Sequence, residues 1–432
     1  MYTFSKNLKT FAIVLMVLGL LGIAYGFFSA PKDLDEVKQI LTEQAHHGDG
    51  GHHVSADAHS DADFEHHAEH VYGQLKNKPW TALYVGSIFV MFVSLGILVF
   101  HGINYAASAG WSPVLFRVME GLSAYLLPGS IIFFLILLAS VLGGNHLFIW
   151  ADDAVVAKDA IIQGKVGYLN VPFFIVRALI FLGGWNLYRV YMRKQSLALD
   201  ATGDLVYHKK MFKASAGFLA FFIVTESMAS WDWIMSIDTH WYSTLFGWYV
   251  FASFFVTAIT TIAFVTLYLK NKGYLDFVNT SHIHDLAKFM FGLSIFWTYL
   301  WFSQFMLQWY SNIPEEVTYF IFRIQEYNLP FFGMLVLNFI LPLLLLINTD
   351  FKRLTWIVVM AGVCIIIGHY IDFFLMIAPG TVGGSWFIGV EEIGSLMFFI
   401  GLFIFVGFNA ISKAPLLAKN NPLIEESKHF HY

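Results

Sequence analysis

The sequence predicts an all-α polytopic membrane protein with ten transmembrane helices, forming two four-helix bundles related by a parallel internal repeat plus two peripheral helices. Three observations carry that expectation. The 432 residues are 57% hydrophobic and only 13% charged, with a mean hydropathy of +0.63, well outside the soluble average. Ten apolar runs are each long enough to cross a hydrocarbon core. The phrase Asn170-Val-Pro-Phe-Phe returns as Asn328-Leu-Pro-Phe-Phe, behind an acidic pair (Asp152-Asp153 or Glu315-Glu316) and ahead of a long apolar run ending in cations. A matched loop, proline and helix start about 160 residues apart indicates a duplicated transmembrane unit.

Helix 1 is expected over residues 10–29, within an anchor of residues 1–30. Lys6 and Lys9 before an apolar core imitate a signal peptide, but the core is too long and residues 24–30 lack a small-x-small cleavage site. Residues 31–79 read as a polar outer loop. Its 46–70 stretch holds eight His among Asp, Glu, Gly and Ala and should be disordered or loosely draped. Imidazoles there could capture a transition metal, yet no helical His spacing recurs, so a solvated linker is the plainer reading.

Helices 2–5 (80–104, 119–143, 171–191 and 210–230) fill a first bundle within residues 80–230. Helices 6–9 (243–269, 288–309, 330–348 and 354–377) fill a second within 231–378. Helix 10 (389–411) is peripheral within 379–411, and 412–432 is a tail. An even number of helices per copy gives both copies one orientation, about an axis along the membrane normal. The longer outer loops, 144–170 and 310–329, carry the paired acids beside Trp150, Trp309 and Tyr310, as docking surfaces or interfacial belts.

Seventeen of the 25 Lys and Arg fall on the side of the N-terminus and seven on the other, with Arg177 inside helix 4. The excess places both termini in the cytoplasm. A net charge of −5 gives no reason to expect nucleic acid. The lone Cys364 leaves no thiolate set for an iron–sulfur cluster, no Cys-x-x-Cys-His and no internal disulfide. A b-type haem needs facing histidines, and only His369 lies well inside a span, with His101, His146 and His240 at ends. No cofactor or metal bound by this chain alone is expected.

Ionisable residues in a bilayer are default functional candidates. Here they are Glu120, Arg177, Glu226, Asp232, His369, Asp372, Glu391 and Glu392, a candidate proton path. Arg177 lies about two turns into helix 4, where the other copy has Leu335. Its expected partner is Glu226, either as a tie between helices 4 and 5 or as a proton or quinol-headgroup site. His369 and Asp372 share a helix face, either for proton transfer or as a hydrogen-bonded interior pair. Glu120 is expected to pair with Arg117 one turn earlier. Gln304 and Gln308, four apart among aromatics, suit a quinol ring or polar glue between helices.

Three segments carry a resemblance: Glu226-Ser-Met-Ala-Ser-Trp-Asp-Trp-Ile-Met-Ser-Ile-Asp-Thr-His-Trp-Tyr-Ser-Thr-Leu-Phe-Gly-Trp248, Trp297-Thr-Tyr-Leu-Trp-Phe-Ser-Gln304 and Tyr310-Ser-Asn-Ile-Pro-Glu-Glu316. They resemble the NrfD-like membrane subunits of alternative complex III, and among them the smaller, ActF-like one, over roughly residues 80–411. The resemblance implies a quinol:electron-acceptor oxidoreductase complex of the bacterial cytoplasmic (inner) membrane. Its partners would be a multihaem cytochrome c subunit, an iron–sulfur subunit, a second NrfD-like subunit and lipids. Haems and clusters would sit in those partners, with quinol or menaquinol used by the complex. This chain would support assembly, with proton conduction as a candidate role. Two other functions stand beside that one: direct quinol binding, and stand-alone secondary transport. Against transport, Pro128 and Pro342 lie in helices 3 and 8, which do not correspond in the repeat.

Overall fold

A computed structural model describes residues 2–47 and 61–431. The chain is an all-α, multi-pass membrane protein, with no strand among the described residues. Its ten spans are Lys6–Ser29, Val71–Ala106, Pro113–Val141, Val171–Thr202, Val206–Ile237, Phe246–Asn271, Thr280–Ser311, Asn328–Leu346, Thr355–Val382 and Val390–Ile411, numbered 1 to 10 below. The end bearing the 144–170 loop is termed outer and the opposite end inner, after the charge asymmetry.

Spans 2–5 close a ring in which spans 3 and 5 flank span 2 and also flank span 4. Spans 6–9 repeat that ring, with 7 and 9 flanking both 6 and 8. Between the rings, span 2 packs on spans 6 and 9, and span 5 packs on span 6. An axis exchanging span 2 with 6 and span 5 with 9 maps the 2–9 contact onto the 5–6 contact. That is the contact pattern of a parallel duplication. Spans 2 and 6 are accordingly central, with 94% and 78% of their most apolar stretch buried, against 22% for span 1.

Span 10 leans on spans 2 and 3, and span 1 lies against span 10. The last contact is made by glycine. A Cβ at Gly19 would stand 2.6 Å from the Gly394 carbonyl oxygen, and one at Gly22 would stand 2.8 Å from the Gly394 Cα. Apolar burial drives little association within a bilayer, so this close backbone approach is what holds the pair.

The helix ends follow local chemistry. Asn170 Oδ1 accepts the Phe173 N–H at 3.0 Å and Pro172 sits in the first turn, so span 4 starts where the sequence indicates. Gly203, at φ 72°, ends it. Asn328 behaves differently. Helix Pro314–Glu326 runs into span 8 through Tyr327, leaving no free N-terminus, and Asn328 Nδ2 donates to the Ile324 carbonyl at 3.2 Å. Span 8 contains a π turn, Val336–Ile340, just before Pro342. Pro342 has no N–H for the Asn338 carbonyl, and the Leu341 N–H reaches back five residues to Val336 instead.

Several expectations are corrected. The 31–79 segment is not a plain loop: Leu34–His47 and Asp61–Ala106 are helices that pack together, joined by Lys38–Glu65 at 2.8 Å. Polar composition hid them, since their helical order needs no apolar run. Residues 48–60 and all eight histidine side chains of the 46–70 stretch lie outside the described residues. Both long outer loops contain helix, Asp153–Val156 and Ala160–Gln163 in the first and Pro314–Glu326 in the second. Span 4 runs to Thr202, eleven residues past its expected end at 191, because Arg, Lys and Gln are good helix formers outside the apolar core.

Candidate functional site

The ionisable candidates separate into four places. At the outer end of the first bundle, Arg177 forms a two-pronged pair with Asp232: Nε to Oδ2 at 2.6 Å and Nη2 to Oδ1 at 3.0 Å. Both side chains are buried. The guanidinium lies 3.9 Å above the Tyr168 ring and donates to the Tyr168 carbonyl at 3.1 Å. Glu226 is therefore not the partner of Arg177. Spans 4 and 5 are antiparallel, so Arg177, six residues from its helix start, stands level with Asp232, five from the end of span 5. Glu226 lies about 9 Å deeper at 1.5 Å per residue. Its carboxylate accepts the Ser230 hydroxyl at 3.0 Å, with no cation in ion-pair contact among the described residues.

At the inner end of the same bundle, Glu120 takes Arg117 at 2.7 Å, Arg193 at 2.5 Å and the Ser196 hydroxyl at 2.5 Å. Arg117 also reaches Asp200, and His101 Nε2 stands 3.8 Å from Glu120. The Arg117 pairing is as expected. Arg193, Ser196 and Asp200 come from the extra turns of span 4 and were missed for that reason, while His101 comes from the inner end of span 2. Between the two ends the core is aromatic. Trp185 and Trp233 meet edge to face at 5.8 Å, with Phe92 and Phe181 against both. The Trp185 indole donates to the Thr225 hydroxyl at 3.0 Å, and among the described residues no continuous run of hydrogen bonds joins the two ionic clusters.

The second bundle places its polar groups near mid-span instead. His369 and Asp372 face spans 6 and 7 and are fully buried. Ser253 joins them, with its Oγ 2.7 Å from Asp372 Oδ2 and 2.9 Å from His369 Nδ1. Trp297 donates its indole N–H to Asp372 Oδ2 at 2.9 Å, and the Tyr249 hydroxyl donates to Oδ1. A carboxylate with three donors is held as an acceptor. Since Ser253 gives its only proton to Asp372, His369 Nδ1 must carry a hydrogen and donate to Ser253. Nε2 of the neutral ring is then the free lone pair, and it has no partner among the described residues. Asn338 of the π turn, whose side-chain nitrogen and oxygen are also unpartnered there, lies against Gly368, the residue before His369.

Tyr249 connects this network outward. It lines a cavity of about 20 Å³ with Gln304, Tyr319 and Arg323, space for about one water molecule. Gln304 Oε1 is buried there and unpartnered among the described residues. Gln308, with its amide turned to suit its neighbours, accepts the Trp241 indole at 3.0 Å and donates to the Glu316 carbonyl at 3.2 Å.

Arg323 went unnoticed in the sequence as an ordinary loop cation, yet it is buried and echoes Arg177. It lies 3.3 Å from the Tyr319 ring centre and donates to the Tyr319 carbonyl at 2.9 Å. Its Nε donates to the Leu375 carbonyl on span 9, the counterpart of span 5. Each bundle thus carries an arginine stacked on a tyrosine at its outer end, and of the two only Arg177 pairs with a carboxylate among the described residues.

The fourth place is the outer end of span 10. Glu391 pairs with Lys78 at 3.0 Å, and Glu392 accepts the Gly389 N–H at 2.7 Å, capping its own helix. Among the described residues no cluster of three or more His, Cys, Asp or Glu has metal-binding geometry. Compared with models of protein families and with curated proteins, the chain matches none.

Proposed function

We propose that this chain is a proton-conducting membrane subunit, without a redox centre of its own, of a quinol-oxidising respiratory complex of the bacterial inner membrane, both termini lying in the cytoplasm. Membership of such a complex rests on the resemblance of residues 226–248, 297–304 and 310–316 to NrfD-like, ActF-like subunits. The partners would be the multihaem cytochrome c, the iron–sulfur protein and a second NrfD-like subunit. Their haems and clusters carry the electrons.

Proton conduction rests on one observation: the His369–Ser253–Asp372 chain, buried near mid-span in the second bundle. A proton reaching Nε2 of neutral His369 makes an imidazolium. Its Nδ1 proton then passes to Ser253 as that hydroxyl gives its own to Asp372, leaving a neutral imidazole and a neutral carboxylic acid. Asp372 then releases outward along Tyr249 and the water-sized cavity beside Gln304 and Arg323. Loss of the Nε2 proton and uptake of one at Nδ1, by exchange with water, restore the starting tautomer, and the Ser253 hydroxyl turns back toward Asp372. The first bundle is less suited to conduction, because among the described residues no run of hydrogen bonds carries its buried Glu226 through the aromatic centre to Glu120.

Direct quinol binding at Gln304 and Gln308 has less support. Gln308 is committed to two neighbours, and the cavity at Gln304 has no room for a ring. Purification in mild detergent tests the complex. Haem-bearing and iron–sulfur polypeptides should accompany the chain at fixed ratio, whereas a chain that purifies alone at full stability points to a transporter and refutes the proposal.

A further inference from the structure

At the outer end of the first bundle, the loop before span 4 and the end of span 5 enclose a recess of about 320 Å³, a volume in the range of small-molecule sites. Its walls include the rings of Tyr168, Trp231, Trp241 and Tyr242, and its polar groups include Lys165 and Asp238. These groups have unused capacity. Lys165 gives one of its three ammonium hydrogens to the Thr239 carbonyl. The Trp231 indole N–H is buried and meets no acceptor among the described residues. Asp238 lies close enough for its charge to act on Lys165, but the two form no direct ion pair among the described residues.

The surface beneath the recess is apolar. Span 5 turns Ile223 and Val224 outward, 53% and 59% exposed, and Trp231 continues that face two turns on. Span 4 turns Val176 and Ile180 outward nearer the outer end, 50% and 53% exposed. A charged, ring-lined pocket at the span ends above two lipid-facing stripes fits a molecule with a polar head and long chains. A cation with a free indole N–H suits a phosphate, and a carboxylate among aromatic rings suits an ammonium.

We propose that this recess holds the head group of a zwitterionic phospholipid of the phosphoethanolamine type. Its phosphate lies on Lys165 and Trp231, its ammonium on Asp238, and its acyl chains along spans 4 and 5. A primary ammonium is favoured over a trimethylated one because it can donate hydrogen bonds to Asp238. The head group covers Tyr168, and so shields the Arg177–Asp232 pair stacked beneath that ring.

The test is thermal unfolding of the full chain, purified with any retained partners, delipidated, and mixed with detergent micelles carrying dioleoyl phosphatidylethanolamine, phosphatidylcholine or phosphatidylglycerol. The ethanolamine lipid should raise the midpoint by several degrees, and the choline and glycerol lipids each by less. Lys165→Ala and Asp238→Asn should each abolish the ethanolamine preference, and Lys165→Arg should keep it, which separates loss of binding from misfolding. Equal shifts from all three lipids, unchanged in the variants, would mean annular lipid only and overturn the site. The largest shift from phosphatidylglycerol would overturn the ammonium subsite.

Discussion

Replacing Arg177 with Leu strands the Asp232 carboxylate, which has no exposed surface. Breaking a buried ion pair from one side costs about 3–5 kcal/mol, because the remaining charge keeps its desolvation penalty and loses its partner. The variant also loses the bond to the Tyr168 carbonyl and the stacking on that ring. Arg177→Leu should therefore lower unfolding free energy by about 3–5 kcal/mol, read by denaturant titration in mild detergent. Removing both partners, Arg177→Leu with Asp232→Leu, should recover most of that loss, with a coupling energy on the order of 2 kcal/mol or more. Arg177→Leu with Glu226→Leu should show no coupling, since Glu226 is about 9 Å deeper. A single variant within about 1 kcal/mol of wild type, or a double Arg177/Asp232 variant no better than the worse single one, would show that Arg177 and Asp232 are not an energetically coupled buried pair.

Three further outcomes are expected. Gly22→Leu should separate span 1 from span 10, seen as loss of a cysteine crosslink engineered between them, because a Cβ at Gly22 already approaches Gly394 within 2.8 Å. Glu120→Gln leaves Arg117 and Arg193 facing a neutral group and should cost on the order of 3 kcal/mol in the same titration. The outer loop should loosen in acid. Asp159 accepts the Ile162 N–H at 3.1 Å and pairs with His240 at 2.5 Å, contacts that hold its carboxyl below the ordinary 3.8. Its contribution is fully present above that ordinary value and is lost as pH falls through the depressed folded value. Protease cleavage of residues 153–163 should rise over that acid range in the wild type and be flat in Asp159→Asn.

Much of the architecture was legible because a bilayer forces long apolar runs and leaves few alternatives to helices. The duplication was legible from the two Asn-x-Pro-Phe-Phe phrases, even though only Asn170 serves as a cap. Polar helices were not legible: Leu34–His47 and Pro314–Glu326 lack the apolar length that marks a span. The ion pairs were legible as residues and only partly as partners. Asp232 was in hand, but proximity along the sequence favoured no particular height, and only the antiparallel register of spans 4 and 5 decides it. Ser253 and Tyr249 gave little sign, since one serine and one tyrosine in an apolar helix are common. A weak signal existed in Ser253, Thr257 and Thr261, hydroxyls four apart on span 6.

On the proposed function, protons cross through His369, Ser253 and Asp372 while electrons travel elsewhere. The decisive measurement counts protons released outward per electron during quinol oxidation by the intact complex in sealed vesicles, for wild type and Asp372→Asn. The ratio should fall in the variant with the complex assembled and quinol still oxidised. An unchanged ratio in that assembled variant would contradict passage by that route.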